Sequence, residues 1–258
     1  MLLAIDIGNT NLELGFFRDG TLLRTFRLAT RHDATSDELG LALCQYMQLF
    51  GIAREEIEDV AITSVVPQIM YSISSACRKY LGLEPLIVGE NLRADIPIRY
   101  DNPGEVGSDR LVNAIGAYHK YGGPLLVVDF GTATTFNAVG RDGAYLGGAI
   151  MPGIRISMQA LFERTAKLPR VELVNPGVVI GKNTVQAMQA GFYHGYAGAL
   201  INLARLVRAE LGADTRVIVT GGLSGMFAEE IEEVDCIDKE LTLTGLWVLY
   251  DRRRKSGG

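Results

Sequence analysis

Two aspartates in this chain stand where an apolar run gives way to glycine and small polar residues: Asp6 in "LLAIDIGNTN" and Asp129 in "LLVVDFGTAT". A buried strand does not end in a carboxylate unless the chain turns there. An unpaired buried carboxylate is costly, so it needs a cation, hydrogen bonds or water. At the first turn Gly8 lets a phosphate approach the backbone. Asn9, Thr10 and Asn11 add side-chain donors to the backbone N–H groups, and together these make an anion-binding concavity. Asp6 would then hold Mg2+, directly or through water, because Mg2+ prefers oxygen ligands and keeps much of its hydration. The competing account is a polar hairpin turn with Asp6 bonded to nearby N–H groups. Recurrence of the pattern at Asp129-Phe130-Gly131-Thr132 favours the phosphate.

A third carboxylate lies in "VGSDR". Gly107 frees the backbone, and Ser108, Asp109 and Arg110 open a helix, where the dipole favours an acidic residue. Capping by Ser108 or Asp109, with Arg110 in a surface ion pair, would explain the same residues without chemistry. Further on, "VIVTGGLSGMF" (217–227) reads as a strand running through glycines into a helix start, a seat for the adenosine or phosphate groups of a nucleotide. His32, His119 and His194 show no metal-ligand spacing, and His194 is expected to be packed on its helix.

The elements that position these residues follow from periodicity. Leu2 to Ile7 and Leu12 to Phe17 read as strands, and "RDGTLLRTFRLAT" supplies a hairpin at Asp19-Gly20 and a third strand. Leu39, Leu43, Met47 and Phe50 fall at helical spacing, so 36–50 is a helix. "VAITSVVP" is a short buried strand ended by Pro67, "QIMYSISSACRKYLG" a helix closed by Gly82, and "PLIVG" a further strand. From Gly123 the pattern begins again. "LLAIDIGNTNLELGFFRDGTL" and "LLVVDFGTATTFNAVGRDGAY" share an apolar run, Asp-x-Gly, a Thr-containing turn, a strand and an R-D-G hairpin, which is an internal duplication. Two such units imply an α/β fold of two similar lobes with a cleft between them. The boundary is placed in the helix from about 108 to 121, giving lobes 1–115 and 116–258, with the last helix free to pack back on the first lobe. On the long helix of "NTVQAMQAGFYHGYAGALINLARLVRAELG", Ala187, Gly191, Gly195, Gly198 and Asn202 share one face. Either that face packs closely against its own lobe, or it meets its twin across a dimer axis.

Bulk properties narrow the classes. The 258 residues are 48% apolar and 21% charged, and carry a formal net charge of −5, a poor match for non-specific nucleic-acid binding. The basic run Arg252-Arg253-Arg254-Lys255 is expected to be a solvated, fraying tail. Three scattered cysteines without a CxxC suit a reducing compartment and give no metal cluster. Asp6 interrupts the apolar start, so no signal peptide is expected, and no uncharged stretch reaches membrane-span length. The expectation is a cytoplasmic protein with neither nucleic acid nor membrane as partner.

Two phosphate hairpins followed by a TGG turn resemble the superfamily of actin, the heat-shock chaperones and the sugar kinases, whose lobes are ribonuclease H-like with ATP in the cleft. More narrowly, the chain is similar to type III pantothenate kinases. The matching stretches are "DIGNTN" (6–11), "YDNPGEVGSDRLVNAIGAY" (100–118), "VVDFGTATTFNAV" (127–139), "GGAIMPG" (147–153), "TAKLPRV" (165–171), "GKNTVQAMQAG" (181–191) and "VIVTGGL" (217–223). The resemblance implies ATP-dependent phosphorylation of pantothenate to 4'-phosphopantothenate, the first step of coenzyme A biosynthesis. It implies ATP contacts from Asp6, Ile7, Gly8, Asn9, Thr10, Asn11, Leu12, Glu13 and Thr132. Asp109 becomes the catalytic base, and Tyr100, Gly107, Ser108, Asp109, Arg110 and Thr184 bind pantothenate. Asp6 takes Mg2+, directly or through water, and Asp129 a monovalent cation, K+ or NH4+. The residues alone would have made Asp129 a second Mg2+ ligand. The resemblance also implies a homodimer. Two other readings stay open at this point: a sugar or amino-sugar kinase, and a non-enzymatic transcription accessory factor. A retained Asp109 and an acidic chain without a helix-turn-helix signal speak against the second.

Overall fold

A computed structural model describes residues 1–227 and 231–256. The chain divides into two compact units. The first comprises Met1–Pro97, Asp101–Lys120 and the segment from Glu240; the second comprises Ile98–Tyr100 and Tyr121–Lys239.

In the first unit, β1 (Leu2–Ile7), β2 (Asn11–Arg18) and β3 (Thr21–Ala29) form an antiparallel meander. Asp19 and Gly20, with φ of 48° and 83°, supply the left-handed pair that the two-residue β2–β3 turn demands. The chain continues through α1 (Ser36–Phe50), β4 (Asp59–Ser64), α2 (Pro67–Ala76) and β5 (Leu86–Ile87). Thr35 and Glu38 close a capping box at the start of α1, and Gly51 takes the left-handed conformation after its end. Pro67 opens α2 at the first helical position, where a missing N–H costs nothing, so it begins a helix more than it ends a strand. After α2 the helix widens into a π turn, Cys77–Leu81, before Gly82 stops it.

β4 and β5 lie parallel to β1, and the sheet order is β3-β2-β1-β4-β5. Because side chains alternate along β1, Leu3, Ile5 and Ile7 face α1 and α2, while Leu2 and Ala4 face the other way. That second face is covered by α3 (Ser108–Tyr121) and α7 (Leu241–Lys255), whose Val112, Ile115, Leu243, Leu246 and Leu249 complete the core. The α3 and α7 backbones meet directly. A Cβ at Gly116 would lie 2.5 Å from the Leu241 carbonyl oxygen, and one at Gly245 would lie 2.0 Å from that of Val112. Beside this crossing Thr242 Oγ1 donates to Asn113 Oδ1 at 2.7 Å, both residues buried.

The second unit repeats the plan. β6 (Leu125–Phe130), β7 (Ala133–Val139) and β8 (Tyr145–Pro152) form the meander. After α4 (Ile154–Arg164) and α5 (Thr184–Leu211), β9 (Arg216–Thr220) joins parallel to β6, and β10 (Cys236–Ile237) parallel to β9. α6 (Ser224–Phe227) is a single turn. Read from the meander, the order β8-β7-β6-β9-β10 matches β3-β2-β1-β4-β5 strand for strand. The duplication legible in the sequence is therefore a duplication of sheet topology.

One expectation is corrected. The basic run does not fray: it forms the last turn of α7, where positive charge complements the helix dipole. Arg252 Nη1 reaches the Asp95 carbonyl at 3.1 Å, Arg253 binds the Asn91 carbonyl, and Lys255 pairs with Asp251 at 2.6 Å. No helix of the described residues is long and apolar enough to cross a membrane.

Candidate active site

The two phosphate turns are built alike but not identically. In the first unit Asp6 is the penultimate residue of β1, half-buried, in register with Glu13 on β2 and Thr63 on β4. Ile7 and Leu12 are fully buried and anchor the two sides of the turn, whose tip Asn9, Thr10 and Asn11 is exposed. The Gly8 N–H donates to the Asn11 carbonyl at 3.0 Å. Thr30, just beyond β3, braces the turn twice: its hydroxyl donates to the Gly8 carbonyl at 2.6 Å, and its N–H to the Thr10 carbonyl at 2.9 Å. Glu13 sits one strand back, ion-paired with Arg27 across the β2–β3 ladder.

In the second unit Asp129 occupies the matching place, in register with Thr135 on β7 and Thr220 on β9. The turn that follows is tighter. The Gly131 N–H donates to the Ala133 carbonyl at 3.0 Å, so the loop closes over one residue fewer than between Gly8 and Asn11. The R-D-G tips compensate. The first is a two-residue turn, whereas the second extends from Gly140 to Ala144, with Gly140 N–H donating to the Ala144 carbonyl at 2.8 Å. Asp129 is also crowded from the glycine side, since a Cβ at Gly221 would stand 2.5 Å from its Oδ1. At φ 88° Gly221 is where the TGG motif must carry glycine. Thr132, half-buried, lies against Gly153, whose Cβ would fall 2.0 Å from the Thr132 carbonyl oxygen.

Asp109 belongs to the first unit, in the opening turn of α3. Its Oδ1 accepts from the Arg110 N–H at 2.8 Å and stands 2.6 Å from where a Cβ at Gly107 would lie. Burial raises its pKa, opposed by that hydrogen bond and by the Arg110 charge. Arg110 itself is buried, where a merely structural account placed it at the surface. Ser108 does not cap the helix through its hydroxyl. Instead it accepts from Thr63 Oγ1 at 2.9 Å and donates to the Ser64 carbonyl at 3.2 Å.

The remaining expected residues lie in the second unit. Tyr100 is half-buried, with its ring 6.3 Å from that of Tyr145 and Gly147 against its edge. Thr184 is exposed at the first position of α5, and the cap is its neighbour: Asn183 Oδ1 accepts from Gln186 N–H at 2.9 Å. The N-x-x-Q spacing was the available signal. A cavity of about 710 Å³ opens in the first unit near Met1, Arg18, Trp247 and Lys255, and none of the residues assigned to phosphate or substrate lines it.

Among the described residues no group of three or more His, Cys, Asp or Glu side chains could enclose a metal. Asp6, half-buried beside an exposed, donor-rich turn, fits a divalent cation that would keep much of its water.

Duplicated β-meander units, each with an aspartate next to last in its first strand, give the fold shared by actin-like ATPases and sugar kinases. Solved structures share this fold along nearly their whole length. A Baf family protein from Campylobacter jejuni, proposed as a transcriptional activator, is 18% identical with TM-score 0.61, covering 98% of this chain and 99% of its own. A Sinorhizobium meliloti protein proposed as a 2-dehydro-3-deoxygalactonokinase is 12% identical with TM-score 0.60, covering 98% and 99%. The activator of 2-hydroxyisocaproyl-CoA dehydratase from Clostridium difficile, with ADPNP bound, is 14% identical with TM-score 0.55, covering 99% and 96%. Within that class the family model for type III pantothenate kinase matches residues 2–206, and the chain belongs to that family. It is a phosphotransferase that phosphorylates pantothenate with ATP and a divalent metal, in coenzyme A biosynthesis.

Proposed function

We propose that Asp109 is the base of this reaction and that Asp6 holds the magnesium of the nucleotide, directly or through water. The observation that carries the proposal is Asp109 itself: a carboxylate at a helix start, half-buried, its pKa raised by burial, its orientation fixed by the Arg110 N–H. Asp109 orients the primary hydroxyl of pantothenate and takes its proton as the oxygen attacks the γ-phosphorus and ADP leaves. Phosphoryl transfer asks little covalent chemistry of a protein beyond such positioning and charge neutralisation. Magnesium, when bound, neutralises charge on the phosphates. The Gly8–Asn11 turn and Thr132 hold ATP oxygens. Ile7 and Leu12 anchor the first of these turns, and Glu13 lies beside it. Arg110 supplies planar donors to the pantothenate carboxylate or hydroxyls, with Gly107, Ser108, Tyr100 and Thr184 completing the substrate contacts.

Asp129 is proposed as the ligand of a monovalent cation, K+ or NH4+. The shorter turn after it and its contact with Gly221 support a role different from that of Asp6. The test is pantothenate-dependent ADP formation with Mg2+, in K+ or NH4+ against Na+. Turnover that needs K+ or NH4+ is expected, and Asp129→Asn should abolish the difference between salts. Turnover equal in all three salts rejects the cation role, and no turnover in any rejects the assignments as a whole.

A homodimer through α5 and a cytoplasmic location complete the proposal. Cβ atoms built at Gly191, Gly195 and Gly198 meet nothing within 4 Å, and Leu206 on the same stripe is exposed. The stripe therefore does not pack on its own unit, which supports a second copy as its partner. Cys44, Cys77 and Cys236 are all free, as suits a reducing compartment. Gly195→Leu costs nothing inside the chain and is expected to halve the mass seen by light scattering; an unchanged mass rejects the α5 interface.

A further inference from the structure

We propose that Thr63, which no part of the assigned site contains, is a positioning residue for Asp109, acting through the hydroxyl of Ser108. Thr63 is fully buried near the end of β4, in parallel register with Asp6 on β1. Its Oγ1 donates to Ser108 Oγ at 2.9 Å, and Ser108 Oγ passes its own proton to the Ser64 carbonyl at 3.2 Å. Two hydroxyls and a carbonyl thus form a directed chain that fastens the first residue of α3 to β4. β4, which pairs with the strand that carries Asp6, is thereby tied to the helix that carries the base. Ser108 has spent its proton on Ser64, so its side chain is left only as an acceptor and cannot donate to substrate. The second unit offers an internal contrast: Thr220 holds the same register place beside Asp129, but two glycines follow it where Ser64 and Val65 follow Thr63.

This inference rests on the role given to Asp109 above. The test compares Thr63→Val, which keeps the shape and removes the hydroxyl, with Thr63→Ser, which keeps the hydroxyl. Small misplacements of a reacting group are expensive. Thr63→Val is expected to lower kcat about tenfold while KM for ATP stays within about twofold, and Thr63→Ser to restore kcat. Ser108→Ala should match Thr63→Val, and the double variant should be no worse than either. Amide exchange at Arg110 and Leu111, measured without substrate, should quicken in Thr63→Val and Ser108→Ala and return to normal in Thr63→Ser. A Thr63→Val enzyme with wild-type kcat and unchanged exchange overturns the inference, as does a Thr63→Ser enzyme as slow as Thr63→Val. A wild-type protein without pantothenate-dependent turnover would instead defeat the role of Asp109, while the exchange data would still decide whether the relay holds α3.

Discussion

Asp109→Asn lowers pantothenate-dependent turnover by about 10²–10⁴-fold, the span expected when a general base is removed from a positioned site. The asparagine keeps the shape and can still accept from the Arg110 N–H through its amide oxygen, so the helix start survives. ATP binding, measured separately by calorimetry, should be little changed. The pH profile adds a second signature. Burial raises the Asp109 pKa, so the acid limb of kcat/KM in the wild-type enzyme lies above the range of an exposed carboxylate. The same shift fixes the sign of its effect on stability. A carboxyl that binds its proton more tightly in the folded chain contributes stability only below its unfolded pKa, and that contribution is lost as pH rises through the folded value. At neutral pH Asp109 therefore opposes folding, and Asp109→Asn should melt at or above the wild-type temperature. A variant that is both inactive and less stable would point to a structural role for the carboxylate in place of the catalytic one.

The second large effect is on the fold. Gly245→Ala puts a Cβ where the Val112 carbonyl oxygen stands, 2.0 Å away, with the Val112 Cγ1 at 2.7 Å. Neither contact is with the end of a flexible side chain, so α3 and α7 must separate. In an exposed helix the same change would gain about 1 kcal/mol, while overpacking of a filled core costs about 1–3 kcal/mol and occasionally more. The second term wins here because backbone meets backbone, and a net loss of about 2 kcal/mol is expected from denaturant unfolding of the first unit. Because α3 carries Asp109, kcat should fall with it. A Gly245→Ala protein as stable as wild type would mean that the crossing is looser than it stands here.

Much of this is legible in the amino-acid sequence. Asp19-Gly20 announces its own turn, Leu39, Leu43 and Met47 announce the buried face of α1, and the paired Asp-x-Gly openings announce the repeated sheets. These signals are local: each depends on residues within a few positions of one another. The relay from Thr63 to Ser108 spans 45 residues and rests on a parallel strand pairing that no short pattern encodes. Thr30 is hidden for the same reason, 22 residues from the glycine it braces. The two phosphate turns look collinear because one residue lost after Asp129 is regained at the second R-D-G tip, so the Asp-to-Asp-Gly spacing is the same in both. Only the hydrogen-bonded closure reveals that the loops differ. Asn183 is another matter. Its capping signal is local, an asparagine with a glutamine three positions on.

The path of the chain has a consequence for biosynthesis. The first sheet is made early, but α7, which with α3 covers its second face, begins only at Leu241, after the second unit. Tyr250 donates to Asp59 at 2.8 Å across 191 positions, a closure available only once the second unit has been made. Until then Leu2, Ala4, Val112 and Ile115 lack their α7 partners. Translation that stops short of α7 leaves α3 without the surface that packs against it, so such a chain is expected to be less stable than one that includes α7.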